Sequence, residues 1–260
     1  MILAILQARV SSSRLPGKVL KPLLGVPMLI RQIERLRGVS RIDQLLVATS
    51  NESSDDAIEE LCRAHGVACF RGDLNDVLER FHQAAQTAAP EHIVRLTADC
   101  PLTDAALIDQ VIEFYLDGDY DYASNSLEAT YPDGLDVEIF RASCLEQAWQ
   151  EARLPSQREH VTPFINQQPQ RYKIGLYRGA TDLSHLRWTV DEPKDFELVT
   201  MIYEALYPDN SRFSMQDVLS LLERRPELAD WNTMHERNEG YQKSLDADAA
   251  PTTIPHTKEN

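Results

Sequence analysis

Residues 7–20 read QARVSSSRLPGKVL, and Arg9, Arg14 and Lys18 stand there with no acidic residue before position 22. Cationic side chains this close together offer charge and donors to phosphate oxygens. Serines and Gly17 leave backbone N–H groups free to line an anion-binding concavity. The loop contains neither GxxxxGK[ST] nor GxGxxG, so neither common phosphate-loop pattern applies. On composition alone, a solvated basic loop accounts for it equally well. Two aspartates add a second chemistry. Asp99 follows the run IVRLTA and precedes Cys100-Pro101, and Asp191 follows LRWTV and precedes Glu192-Pro193. Carboxylates released at the mouths of two strands can converge on one ion. Magnesium needs only one or two of them, since water and phosphate oxygens complete its octahedron. Each aspartate also has a plainer use, Asp99 in a turn and Asp191 as cap of a helix starting near Pro193.

A third cluster is Tyr131–Glu138, YPDGLDVE. Asp136 and Glu138 alternate and so share one strand face, and with Asp133 and the Tyr131 ring they suit sugar hydroxyls and a sugar face. Turn formation explains Pro132, Asp133 and Gly134 without any ligand. A ligand bearing a carboxylate would call for Arg158 or Arg187, and His160 would position it or act as a base unless it is an ordinary surface histidine.

Such groups must be held by a scaffold, and the periodicity predicts one. Buried strands are expected at 1–7, 44–49, 67–70 and 92–96, with helices at 26–37, 54–65, 75–88 and 104–115 between and after them. This alternation predicts an α/β fold with a mostly parallel sheet flanked by helices. Strands at 120–124, 136–140, 172–177 and 186–190 follow, with helices at 143–151, 156–167, 193–207 and 215–224. In an open parallel sheet ligands bind beyond the carboxyl ends of the strands, which is where the 7–20 loop must lie. The chemistry-bearing residues are expected between 5 and 191.

The chain has 260 residues, 43% hydrophobic and 26% charged, with a net charge of −15, which argues against a nucleic-acid surface. No apolar run reaches membrane-span length and the N-terminus lacks a secretory layout, so a cytoplasmic location without membrane contact is expected. The four cysteines form no CxxC pair, which disfavours a disulfide framework or structural zinc.

The string A-R-x-x-S-x-R-L-P-G-K resembles the nucleotide-binding signature of the cytidylyltransferases that activate 3-deoxy-octulosonate and nonulosonate sugars. FRGDLNDVLERF, IVRLTADCPL, YPDGLDVEIF, REHVTPFI and LRWTVDEPKDF follow in the order that family expects. The ordered set covers about the first 200 residues and looks closest to the branch of spore coat polysaccharide biosynthesis protein F. The resemblance implies a nucleotide-diphospho-sugar transferase (Rossmann-like) fold, CTP and a sugar or sugar-acid acceptor as substrates, Mg2+ and a homodimer.

Carried over position by position, the resemblance implies nucleotide contacts from Gln7, Ala8, Arg9, Ser11, Ser12, Ser13, Arg14, Gly17, Lys18, Thr49, Arg71 and Asp99. Catalysis would fall to Arg14, Lys18 and Asp99, with Lys18 on the β/γ phosphates and Arg71 on the base. The metal would sit on Asp99 and Asp191, and the acceptor on Tyr131, Asp133, Asp136, Glu138, Arg158 and His160. A nucleotidyltransferase domain would span 1–225, with an acceptor and dimerisation insertion near 125–180. A C-terminal extension (226–244) would follow, and the last residues (245–260), which lack periodicity, are expected to form a disordered tail. The alternatives are a same-fold glycosyltransferase, a nucleotidyltransferase for another base, and a non-catalytic nucleotide-binding module. Val10-Ser11-Ser12-Ser13 stands where the sialic-acid branch has a glycine pair, which weakens the carry-over of that branch's acceptor.

Overall fold

The computed structural model describes residues 1–12, 14–232, 237 and 239–248. Strand β1 (Ile2–Gln7) lies at the centre of the parallel part of the sheet, because its ILAILQ run has no polar face to present to water. Leu3 and Ile5 enter one core cluster, while Ala4 and Leu6 enter the other on the opposite side of the sheet. Each such large side chain is worth about 1.5–3 kcal/mol when buried.

A two-residue hairpin, β2 (Pro22–Leu23) and β3 (Val26–Pro27), comes next and leads into α1 (Met28–Leu36). The helix expected from residue 26 therefore starts at 28. Then follow β4 (Gln44–Ser50), α2 (Asp56–Ala64), β5 (Ala68–Gly72), α3 (Val77–Gln86), β6 (His92–Thr97) and α4 (Ala105–Asp117). The second half holds β7 (Tyr122–Ser124), β8 (Glu138–Arg141), α5 (Ala142–Glu151), α6 (Pro155–His160), α7 (Pro163–Asn166), β9 (Ile174–Leu176), α8 (Pro193–Leu206), α9 (Met215–Arg224) and α10 (Glu239–Asp248).

One seven-stranded sheet runs β5-β4-β1-β6-β8-β7-β9. Strands β5, β4, β1 and β6 are parallel, and β8 is antiparallel to both β6 and β7. The expected α/β class is what the chain adopts.

Three departures matter for the site. The 186–190 segment is extended but joins no sheet; it touches Asp133 through a single bridge at Arg187. Its N–H groups go to loop carbonyls instead, Trp188 to Asp133 O at 2.6 Å and Val190 to Asp99 O at 2.8 Å. The expected helix at 156–167 is broken in two, because Val161 takes a φ of 69° and Pro163 opens a new turn. A β-branched residue in that region is strained. Finally, residues 245–248 belong to α10 rather than to the expected tail, whose remainder lies outside the described residues. Among the described residues no helix is long and apolar enough to cross a membrane.

Candidate active site

The basic loop is shaped by its own backbone and by one buried carboxylate. Asp55, at the start of α2, accepts from Val10 N at 2.7 Å, Thr49 Oγ1 at 3.0 Å, Ser50 N at 3.1 Å and Ser50 Oγ at 2.5 Å. That clamp fixes the loop to the end of β4. The Val10 carbonyl accepts from Ser12 N at 2.8 Å and Gly17 N at 3.0 Å, closing the loop on itself. Gly17 has φ 72°, a left-handed turn that a side chain would resist, and it starts the 3-10 turn Lys18–Leu20.

The turn sends Lys18 inward, where its Nζ lies 3.0 Å from Asp99 Oδ2, 2.9 Å from Asp191 Oδ1 and 2.8 Å from the Val190 carbonyl. The two aspartates meet because Val190 N bonds the Asp99 carbonyl, which lays the 186–190 segment against the end of β6. Neither aspartate is occupied with capping. Asp104 caps α4 by accepting from Leu107 N, and Asp195 takes the N–H groups of Asp191 and Glu192 at the start of α8. Asp191 Oδ2 also meets Arg14 at 3.0 Å and Arg187 at 3.1 Å.

Electrostatics follows from this packing. Burial opposes ionisation of Asp99, but the Lys18 ammonium and hydrogen bonds from Thr97, Lys18 and Cys100 outweigh it and hold its pKa below the ordinary carboxylate value. Burial likewise opposes charge on Lys18, and Asp99 and Asp191 overcome it, raising the lysine pKa. Lysine and aspartate are therefore both ionised.

Two cavities open on this cluster. The smaller, about 410 Å3, is lined by Gln7, Ala8, Arg9, Ser12 and Lys18. The larger, about 580 Å3, is lined by Asp133, Asp136, Glu138, His160 and Arg187. Arg14, Thr97, Asp99 and Asp191 line both. In the larger cavity Arg187 bonds Asp133 at 3.1 Å, Arg237 pairs with Asp136, and Glu138 holds Arg95, Tyr122 Oη (2.6 Å) and Thr162 Oγ1 (2.5 Å). Asp99 and Asp191 suit a divalent cation. They are hard oxygen donors that already converge on one positive charge.

Several expected site residues lie elsewhere. Thr49 is fully buried and spends its hydroxyl on Asp55. Arg71 lines neither cavity and bonds Asp56 (2.6 Å), Glu59 (2.9 Å) and the carbonyls of Ser50 and Glu52. Arg158 is held outside the larger cavity by Asp76 and the Trp149 carbonyl. The Tyr131 ring stacks on Tyr177 at 6.0 Å, behind the cavity wall rather than in it. Ser11 is exposed and lines neither cavity, and the Gly17 N–H is already committed to Val10, so its contribution is conformational. Ser13 lies outside the described residues.

Other residues line the cavities unforeseen. Arg95 projects from the middle of β6 between Glu138 and Gln7, and a charge inside an otherwise apolar strand was the available signal. Tyr241 and Ser244, on α10, line the larger and smaller cavities respectively. They lie far beyond the stretch in which the sequence places its chemistry.

The cytidylyltransferase family profile matches residues 3–233. Spore coat polysaccharide biosynthesis protein SpsF of Bacillus subtilis is 33% identical over 237 residues, covering 88% of this chain and 96% of that protein. A solved cytidylyltransferase from Leptospira borgpetersenii superposes with a TM-score of 0.85 at 32% identity, covering 91% of this chain and 99% of the other. A CMP:2-keto-3-deoxy-manno-octonic acid synthetase in complex with CTP gives 0.60 at 17% identity, covering 78% and 98%, a likeness of fold.

Proposed function

This chain belongs to the cytidylyltransferase family, and from that premise we propose that it transfers CMP from CTP to a hydroxyl of a sugar or sugar acid, releasing pyrophosphate, for polysaccharide biosynthesis. The observation that carries this reading is the convergence of Asp99 and Asp191 on Lys18 at a wall common to two cavities. An in-line transfer needs a triphosphate on one side of the reacting phosphorus and an acceptor on the other.

In this reading the acceptor oxygen bonds the α-phosphorus, the α–β phosphoanhydride bond breaks, and pyrophosphate leaves with the electron pair and takes up the hydroxyl proton. Lys18, Arg14 and Arg9 neutralise the triphosphate, and Lys18 exchanges its carboxylate partners for the β/γ oxygens. Asp99 and Asp191 would hold a divalent cation, which supplies charge neutralisation at the phosphates. Asp133, Asp136 and Glu138 receive acceptor hydroxyls, with His160 beside them. Magnesium as the ion and a homodimer complete the reading and rest on the sequence resemblance, and a cytoplasmic setting rests on the composition of the sequence. The division into a domain at 1–225, with an insertion near 125–180, and a C-terminal extension also rests on the resemblance.

The test is pyrophosphate release with CTP, UTP, GTP and ATP in turn, with magnesium, against a panel of sugar acids and sugar phosphates. CTP-dependent release that falls at least about a thousandfold in Asp99→Ala, the order of loss for a major electrostatic group, is the expected result. Release with another nucleotide would move the reading to that base. The absence of both pyrophosphate release and saturable CTP binding would overturn it and favour a glycosyltransferase or a binding module.

A further inference from the structure

Proposing a sugar acceptor leaves open what packs against the sugar ring. The aromatic residue nearest the carboxylates in sequence, Tyr131, is stacked on Tyr177 outside the cavity. Among the described residues lining the larger cavity, the one phenol ring is that of Tyr241. It lies on α10, beyond the 3–233 stretch that the family profile matches.

We propose that Tyr241 is the aromatic face of the acceptor subsite, and that α10 thereby sets acceptor specificity. The inference rests on the proposed cytidylyl transfer to a sugar. Two wall residues immobilise the ring. Gln167 Nε2 donates to Tyr241 Oη at 2.6 Å, and the His160 ring meets the phenol edge-to-face with centroids 5.0 Å apart. Gln167 and His160 line the same cavity. A ring held in place before the ligand arrives gives up little freedom on binding. The flat face suits the C–H surface of a pyranose, while Asp133, Asp136 and Glu138 in that cavity suit its hydroxyls.

The helix is seated by its own periodicity. Tyr241, Ser244 and Asp248 fall at i, i+3 and i+7 and so share one face. Ser244 Oγ lies 2.9 Å from His160 Nε2 and donates to Glu159 at 2.7 Å, and Asp248 accepts from Ser156 N at 2.9 Å at the start of α6. One face of α10 thus spans both cavities, Tyr241 at the acceptor side and Ser244 at the nucleotide side.

The test uses the full chain with Tyr241→Ala, Tyr241→Leu and Tyr241→Phe. Sugar binding is read by saturation-transfer NMR with 3-deoxy-manno-octulosonate, N-acetylneuraminate, N-acetylglucosamine and mannose, and CTP binding by calorimetry with magnesium. Tyr241→Leu keeps apolar bulk beside His160 while removing the flat face, so it reads the platform even if the alanine variant loosens α10. Affinity for the bound sugar is expected to fall about tenfold in Tyr241→Ala and Tyr241→Leu and less than about threefold in Tyr241→Phe, with CTP affinity unchanged. Equal sugar binding in Tyr241→Leu and the parent overturns the proposal, as does CTP binding with no sugar bound at all. Loss of CTP binding in the parent, with Tyr241-dependent sugar binding intact, sinks the cytidylyl-transfer reading and leaves this one standing.

Discussion

Burial pushes the Asp136 carboxyl up to about 7, against the opposing pull of Arg237 and with added repulsion from Asp133 and Glu138. The sign of the consequence follows from proton counting. Between the ordinary value of 3.8 and about 7 the folded chain holds a proton that the unfolded chain has lost. Stability from this group therefore declines as pH rises through that window. Asp136→Asn is expected to shrink the fall in Tm between about pH 5 and about pH 8, read by thermal denaturation, and an undiminished fall would refute the assignment. At this scale the sequence was partly legible. Lys18, Asp99 and Asp191 could be picked out because an acid-free basic loop, and two aspartates each followed two residues on by a proline, stand out from the periodic runs around them. The partners of Arg71 and Arg158, Asp56 with Glu59 and Asp76, were not legible, because they are set by how α2, α3 and α6 pack. An arginine reads the same in sequence whether it faces a ligand or a neighbouring helix.

Elements position these residues through a few tight contacts. Gly134 has φ 106°, and a Cβ there would stand 2.5 Å from Thr189 N and 2.6 Å from the Trp188 carbonyl carbon. The obstacle is backbone, so the 186–190 segment would have to retreat, taking Arg187 and Asp191 with it. Gly134→Ala is expected to destabilise the fold by at least about 2 kcal/mol, measured by denaturant titration, and to weaken CTP binding. A variant as stable as the parent would mean that the segment is more pliant than its bonds to Asp133 and Asp99 suggest. The parallel core, β1, β4, β5 and β6 with their helices, is plain from hydrophobic period. The second half is not. Residues 186–190 have a strand's composition but bond loop carbonyls, and the run at 156–167 has a helix's composition but is cut at Val161. Both outcomes depend on distant partners, Asp133 and Asp99 for the first and the Thr162–Glu138 bond for the second.

At the scale of the molecule, a strongly acidic chain keeps one acid-free segment at the mouth of its sheet. Two cavities meet there, and α10 spans both from the far end of the chain. Their common wall of Arg14, Thr97, Asp99 and Asp191 has a kinetic corollary. Whatever fills one cavity finishes the surface that the other ligand meets, so neither half of the reaction has a site of its own in which to finish first. Double-reciprocal plots with both substrates varied should intersect, with CTP and acceptor present together before any product leaves. Parallel lines would signal a cytidylylated enzyme and two separate half-reactions. On that sequential mechanism CTP is expected to stay intact while the acceptor is missing, which CMP release without acceptor would refute.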